Sequence, residues 1–216
     1  MDLKNKNIAA IIAHPDDETI GCGGLLSKAS KLGAICKVVL PLRRADPRGV
    51  EHWQSLTKQF KLACKQLGAE PMITEDSVED LTADMQTQQI YKLISDSIAW
   101  ADIVLCHWRG DAHQAHHAIS RAVELATRPF RNHKTVLCFE IPSSTDQAFT
   151  NTFSPNCFVH LDEFDMQRKK SAMKEYTTEI VAGRTPENLE YLMRVRGAQI
   201  GVDYAEAYYI ARHFIF

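Results

Sequence analysis

Short apolar runs alternate with amphipathic stretches along the first two-thirds of this chain, and no other feature restricts its fold more. Residues 7–13, 35–40, 72–74, 102–106 and 135–140 read as strands rich in Ile, Val, Leu and Ala. Between them, residues 18–32, 50–67, 83–99 and 113–127 carry apolar side chains at helical spacing. Trp53, Leu56, Phe60, Ala63, Cys64 and Leu67, for example, share one helix face, and Gly68 ends it. Strand–helix alternation of this kind predicts a three-layer α/β/α, Rossmann-like domain with a mostly parallel sheet. No repeat or linker divides the chain, so residues 1–216 read as one domain. Beyond Pro142 the pattern changes. Residues 142–156 read as a long polar loop, 158–161 as a short strand, and 162–176 and 186–200 as helices. The stretch Tyr204–Tyr209 fits either a helix or an edge strand.

Composition excludes several functions. The chain has 216 residues, 45% hydrophobic and 24% charged, which suits a globular domain with a real core. A formal net charge of -2 gives no electrostatic case for nucleic acid or a membrane surface. No apolar run is long enough to span a bilayer. The N-terminal residues lack the apolar stretch of a signal peptide, so a cytoplasmic location is expected. None of the six cysteines stands in CxxC spacing. Cys36, Cys64, Cys106 and Cys138 read as small buried hydrophobes, and Cys22 as a packing residue on the first helix rather than a nucleophile.

Polar residues concentrate where strands give way to helices. His14, Asp16, Asp17 and Glu18 crowd the end of the first strand. Carboxylates this close repel unless a cation or a proton lies among them. Acidic residues also favour helix N-termini, so a helix start is the other reading of this segment. A second cluster, Asp111, His113, His116 and His117, follows the fourth strand, and three of the nine histidines fall in it. In open α/β sheets ligands bind outside the carboxyl ends of the strands, where strand order reverses. If the first and fourth strands are neighbours there, His14, Asp17 and His116 meet. Such a His2Asp set leaves a position open for water, the pattern of a catalytic zinc site. Arg43, Arg44 and Arg48 follow the second strand. They read either as a solvated loop or, for Arg43 and Arg44, as contacts to an anionic part of a substrate. Trp108 and Arg109, beside the second cluster, are expected at the rim of a substrate site.

The two clusters carry a resemblance. Ala13-His14-Pro15-Asp16-Asp17-Glu18, continued by Thr19-Ile20-Gly21-Cys22-Gly23-Gly24, resembles the AHPDDE motif of the LmbE-like (PIG-L) zinc-dependent de-N-acetylases. His113-Gln114-Ala115-His116 resembles the family's second motif, HPDH. Both histidines are kept, while the intervening Pro and Asp are replaced by Gln114 and Ala115. Phe139-Glu140-Ile141-Pro142, the Asp162 region with Lys170 and Ala172, and Arg196-Gly197 through Tyr204-Ala205-Glu206-Ala207 extend the likeness over nearly the whole chain. The resemblance implies that His14, Asp17 and His116 hold Zn2+, with Fe2+ or another divalent transition metal as the alternative. It implies Asp16 as the general base and a protonated His113 as the group that stabilises the oxyanion and protonates the leaving amine. Glu18 is then a helix-start residue near the site and not a ligand. The Asp missing at Ala115 is the one expected to orient His113, and Asp111 or His117 are its candidate replacements.

The activity implied is removal of an N-acetyl group from a small N-acetylglucosamine-type amino sugar, or hydrolysis of a related amide, by a protein that forms homo-oligomers or stays a monomer. The altered second motif leaves one alternative, a non-catalytic zinc-binding or regulatory protein on the same fold. A nucleotide-binding protein with phosphate on Gly21, Gly23 and Gly24 fits less well, because the spacing matches neither nucleotide fingerprint.

Overall fold

β1 (Asn7–Ile11) shows no alternation of apolar and polar residues because both of its faces are covered; Ile8, Ala9, Ala10 and Ile11 are inaccessible to solvent. The computed structural model describes residues 1–149 and 152–215, without the side chain of Arg48. The other strands are β2 (Ile35–Arg43), β3 (Glu70–Glu79), β4 (Ile103–His107), β5 (Thr135–Phe139), β6 (Cys157–Leu161) and β7 (Tyr204–Arg212). All seven form one sheet in the order β3-β2-β1-β4-β5-β7-β6. Pairing is parallel from β3 across to β5, and β7 runs antiparallel to both of its neighbours. The helices are α1 (Asp17–Lys31), α2 (Pro47–Leu67), α3 (Thr87–Trp100), α4 (Gln114–Ala126), the four-residue α5 (Pro142–Thr145), α6 (Glu163–Glu175) and α7 (Pro186–Ala198). α1, α2, α6 and α7 bury their apolar sides in the core on one face of the sheet; α3 and α4 do so on the other. The mostly parallel, three-layer α/β/α architecture is the one the alternation predicts.

Five elements differ from the sequence reading, one of them α5, which forms inside the stretch 142–156 that reads as a loop. β2 continues through Pro41 to Arg43, because the ladder to β3 shifts register between Leu40 and Leu42 and needs no N–H from the proline there. β3 runs from Glu70 to Glu79 as an edge strand, where charged side chains face water. Residues Asp80–Gln86 form a 3-10 turn ahead of α3 instead of its first turns. β7 is neither a helix nor an edge strand; it is inserted between β5 and β6.

α1 is broken. Cys22 departs from helical geometry (φ -143°, ψ 15°), which frees backbone groups inside a buried helix. Glu206 on β7 accepts hydrogen bonds from the N–H groups of Gly24 and Leu25, both at 2.7 Å, as an N-cap side chain would. The Lys169 ammonium on α6 donates to the Ile20 carbonyl at 2.8 Å and pairs with Glu206 at 2.6 Å. Gly24 is required there, since a Cβ would lie 2.9 Å from the Glu206 carboxylate and 2.4 Å from Leu161.

Candidate metal centre

Strand order reverses between β1 and β4, and the turn after each strand delivers one polar cluster to that point. His14, Asp17 and His116 are all buried, and one donor atom from each lies within 4.8 Å of the others. The His116 Nε2 is 3.6 Å from Asp17 Oδ1, and His14 Nδ1 is 3.5 Å from Asp17 Oδ2. The His14 N–H donates to Asp17 Oδ2 at 2.7 Å, which fixes that carboxylate.

Each imidazole has a carboxylate behind it. The second nitrogen of His14, Nε2, lies 3.4 Å from Asp80 Oδ2, on the 3-10 turn after β3. The second nitrogen of His116, Nδ1, lies 3.1 Å from Asp111 Oδ1. Such carboxylate–imidazole pairs fix ring orientation and raise ligand basicity in metal sites. Asp111 is held on all sides. The Thr145 hydroxyl donates to it at 2.6 Å, the Ser144 hydroxyl at 3.0 Å, and the His113 N–H at 2.7 Å. Burial opposes its charge, but His116 and these donors outweigh burial and hold its pKa at about 2. Burial likewise opposes a charged His14 ring, yet Asp17 and Asp80 on its two nitrogens raise its pKa to about 9. Two imidazoles and one carboxylate, with buried acceptors behind the rings, suit zinc or a similar divalent ion.

Asp16 is the conformational outlier, a non-glycine residue at φ 104°. Such a backbone is uncommon for an L-residue and costs about 1–3 kcal/mol. Burial and the neighbouring Asp17 push the Asp16 pKa well up, and Arg184 opposes the shift from 3.3 Å. Glu18 turns away from the cluster. It accepts hydrogen bonds from Thr19 at 2.6 Å and Tyr176 at 2.7 Å in the core beneath α1.

His113 is the N-cap of α4, and its Nδ1 accepts the Ala115 N–H at 3.2 Å. A nitrogen that accepts carries no proton, so the ring is neutral with its proton on Nε2. Burial and His14 lower its pKa, in keeping with that state. The helix N-terminus therefore orients His113, while Asp111 takes the Nδ1 side of His116 instead and His117 bonds the Asp111 carbonyl. His107, at the end of β4, lies behind Asp17 with Nε2 3.3 Å from Oδ2 and its ring stacked on His116.

The expected substrate contacts divide. Arg44 stands near the cluster and pairs with Glu179 at 3.2 Å. Arg43 points outward to Glu79 at 2.6 Å, and both groups are about half exposed. Trp108 packs edge-on against Phe153 and Tyr209, and Arg109 pairs with Glu124 at 2.5 Å. Trp108 and Arg109 line a separate cavity of about 290 Å3 over β4, β5 and β7, which no residue of the cluster touches. Arg43, Trp108 and Arg109 are thus not placed against the cluster: Arg43 is drawn to Glu79 at the sheet edge, and Trp108 and Arg109 to Phe153, Tyr209 and Glu124. Cys22 is packed inside α1, where burial raises its thiol pKa well above the usual range.

The sequence profile of the PIG-L family, described as GlcNAc-PI de-N-acetylase, matches residues 9–127, which include both clusters. The chain belongs to the PIG-L family. An uncharacterized deacetylase of Escherichia coli K12, YaiS, is 28% identical over 183 residues, spanning 80% of this chain and 91% of YaiS. N,N'-diacetylchitobiose deacetylase of Pyrococcus horikoshii superposes with a TM-score of 0.69 at 18% identity, covering 97% of this chain and 87% of the other. GalB, the 4-carboxy-2-hydroxymuconate hydratase of Pseudomonas putida, superposes with a TM-score of 0.66 at 16% identity over 98% of both chains. At these identities the two structures establish the shared fold alone. Against the PIG-L second motif, the Ala115 substitution now has a structural reading. Ala115 offers no side-chain acceptor, and its backbone N–H donates to His113 Nδ1.

Sequence reasoning missed Asp80, Ser144, Thr145 and Arg184. Asp80 and the Ser144-Thr145 pair follow β3 and β5, whose carboxyl ends open on the same sheet edge as β1 and β4. The same strand-end rule that found the two clusters points to them. Arg184 precedes the Thr185-Pro186 start of α7 and has no comparable signal.

Proposed function

We propose that this PIG-L protein is a zinc-dependent de-N-acetylase of N-acetylglucosamine-type amino sugars, with His14, Asp17 and His116 as metal ligands and Asp16 and His113 as catalytic groups. The observation that carries this reading is the buried His14–Asp17–His116 cluster in which both imidazoles are backed by carboxylates, Asp80 and Asp111. His14, Asp17 and His116 would hold a divalent metal, whose chemistry there would be to polarise the acetyl carbonyl and make water a nucleophile near neutral pH.

The chain's own residues supply the rest. Asp16 takes a proton from the attacking water, and the strained backbone and Arg184 hold its carboxylate in place. The neutral His113 donates its Nε2–H to the carbonyl oxygen as negative charge grows there. Being neutral, His113 has no proton to give up to the leaving nitrogen without losing that hydrogen bond. Asp16 therefore hands the proton it took to the amine as the C–N bond breaks. Water's oxygen and its second proton end in acetic acid, which ionises to acetate in solution, and the sugar leaves as the free amine.

The test is zinc content together with acetate release from a panel of N-acetylglucosamine derivatives. Expected are about one metal per chain and acetate release from at least one derivative. Asp16→Asn, which tolerates a positive φ, is expected to keep the metal and lose about 10²–10⁴-fold in kcat. Metal binding without acetate release from any derivative overturns the catalytic reading. Failure of added zinc to bind overturns the site itself.

A further inference from the structure

The cavity of about 290 Å3 over β4, β5 and β7 stands apart from the cluster and has its own chemistry. Val123, Val136 and Ala211 give it aliphatic walls, and the rings of Trp108 and Tyr209, edge to face with centroids 4.9 Å apart, give it aromatic ones. Two polar groups in it are left over. Ser120 on α4 is only 6% exposed, and its hydroxyl has no hydrogen-bond partner among the described residues; it is nonetheless not one of the polar atoms sealed from solvent. Ser120 lines the cavity, so that hydroxyl opens into it. Arg212 on β7 also lines the cavity. Its Nη1 donates to the carbonyls of Glu124 and Thr127 at 3.1 and 2.6 Å and to the Thr127 hydroxyl at 2.5 Å, which fixes the guanidinium across the end of α4. Its Nε and Nη2 have no partner among the described residues and stay open to solvent. At the rim, Arg109 and Arg121 share one Glu124 oxygen at 2.5 and 2.8 Å. With Arg212, three guanidinium groups face a single carboxylate there.

We propose that this cavity binds a small aromatic carboxylate, with Arg212 and Ser120 on the carboxylate and Trp108 and Tyr209 on the ring. The site goes beyond the de-N-acetylase reading and does not depend on it, because none of His14, Asp17 and His116 lines it. The excess of guanidinium groups selects an anion. The Nε–Nη2 edge of an arginine meets a carboxylate through two parallel hydrogen bonds, and the Ser120 hydroxyl supplies a third donor. A phosphate, with more oxygens and more charge to satisfy, finds too few donors here. A sugar would leave most of its hydroxyls unpaired against Val123, Val136 and Ala211, which costs affinity. A flat apolar body has the matching surface, since aromatic rings pack favourably both stacked and edge to face. Size sets the scale of that body. An apolar cavity of about 150 Å3 takes one benzene ring, so two fused rings fit in this one.

The experiment titrates 2-naphthoate into the full chain by calorimetry, with and without added zinc. Expected are one site per chain and a Kd below about 1 mM that zinc changes by less than about twofold. The uncharged isostere 2-naphthamide is expected to bind about tenfold more weakly. Ser120→Ala is expected to weaken naphthoate by about threefold to tenfold, the scale of one hydrogen bond to a charged group. Ala211→Trp, at an exposed strand position, fills the cavity with an indole and is expected to abolish binding while the circular dichroism spectrum stays that of the parent. No binding of naphthoate, or equal binding of the amide, overturns the proposal. Binding that survives both substitutions, or that appears only with zinc, puts the ligand elsewhere and overturns it too. Binding that fades as the protein dimerises in sedimentation means that a second copy of the chain covers the cavity, which overturns the small-molecule assignment. All of these outcomes leave the de-N-acetylase reading untouched.

Discussion

At the scale of single residues, the first motif assigns each acidic group a different environment within one turn of chain. Asp17 faces three imidazoles, His14, His107 and His116, and despite burial they hold its pKa well below the usual range. Asp16 faces Asp17 and Arg184 and is pushed the other way. Glu18 is sealed under α1, where burial raises its pKa to about 7 against the hydrogen bonds from Thr19 and Tyr176. That last shift has a measurable consequence in metal-free protein. The folded state holds the Glu18 proton more tightly than the unfolded chain, whose carboxyl titrates near 4.5. Between those values the native state binds more protons, so stability falls as pH rises through the window, by roughly 3 kcal/mol in all. Urea unfolding of the metal-free protein from pH 4.5 to 7.5 is expected to show that loss, and Glu18→Gln to flatten it. An unchanged slope in Glu18→Gln would place the titration elsewhere.

At the scale of elements, the break in α1 couples the motif helix to the far half of the chain. Its first turns carry Asp17 and Glu18, its later turns pack in the core, and Glu206 and Lys169 take up the backbone groups left free between them. Removing one member of a buried ion pair typically costs about 3–5 kcal/mol, because the other charge remains without its partner. Lys169→Met and Glu206→Gln are each expected to lose stability on that scale, and the double variant to lose less than the sum, by chemical denaturation in a double-mutant cycle. Additive losses would mean the pair does not act as a unit. α5 shows the same economy at smaller size: four residues beginning at Pro142 place Ser144 and Thr145 against Asp111, behind His116. Thr145→Val is expected to reduce zinc affinity about 10-fold or more by loosening Asp111, measured by chelator competition.

At the scale of the whole molecule, the cluster exists only when β1 and β4 are paired, because His14 and Asp17 follow one strand and His116 the other. Asp80 comes from beyond β3 and Arg184 from the approach to α7. The unfolded chain cannot assemble such a site, so the binding energy of a metal held there would become folding energy. Saturating zinc is expected to raise the midpoint of thermal unfolding, by the equivalent of about 4 kcal/mol at a thousandfold excess over Kd. His116→Ala is expected to abolish that increment. A zinc-induced rise that survives His116→Ala would place the metal elsewhere in the molecule.

The sequence by itself determined the architecture and the residues of the cluster. Strand and helix periodicity is a local property, and an imidazole with three carboxylates at a strand end is conspicuous wherever the strand goes. It did not determine what stands behind those residues. Asp80 and Arg184 are ordinary charged residues in the linear chain, and only the order β3-β2-β1-β4, with α7 packed on β7 and α6, brings them to His14 and Asp16. β7 could not be placed from its own pattern, since Glu206 in an otherwise apolar strand makes sense only against the broken helix it caps. The same holds for Trp108 and Arg109, which adjoin the second motif in sequence but pack against Phe153, Tyr209 and Glu124 in a separate cavity. Neighbours along a turn point in different directions, and which direction meets the site is decided by the elements packed around it.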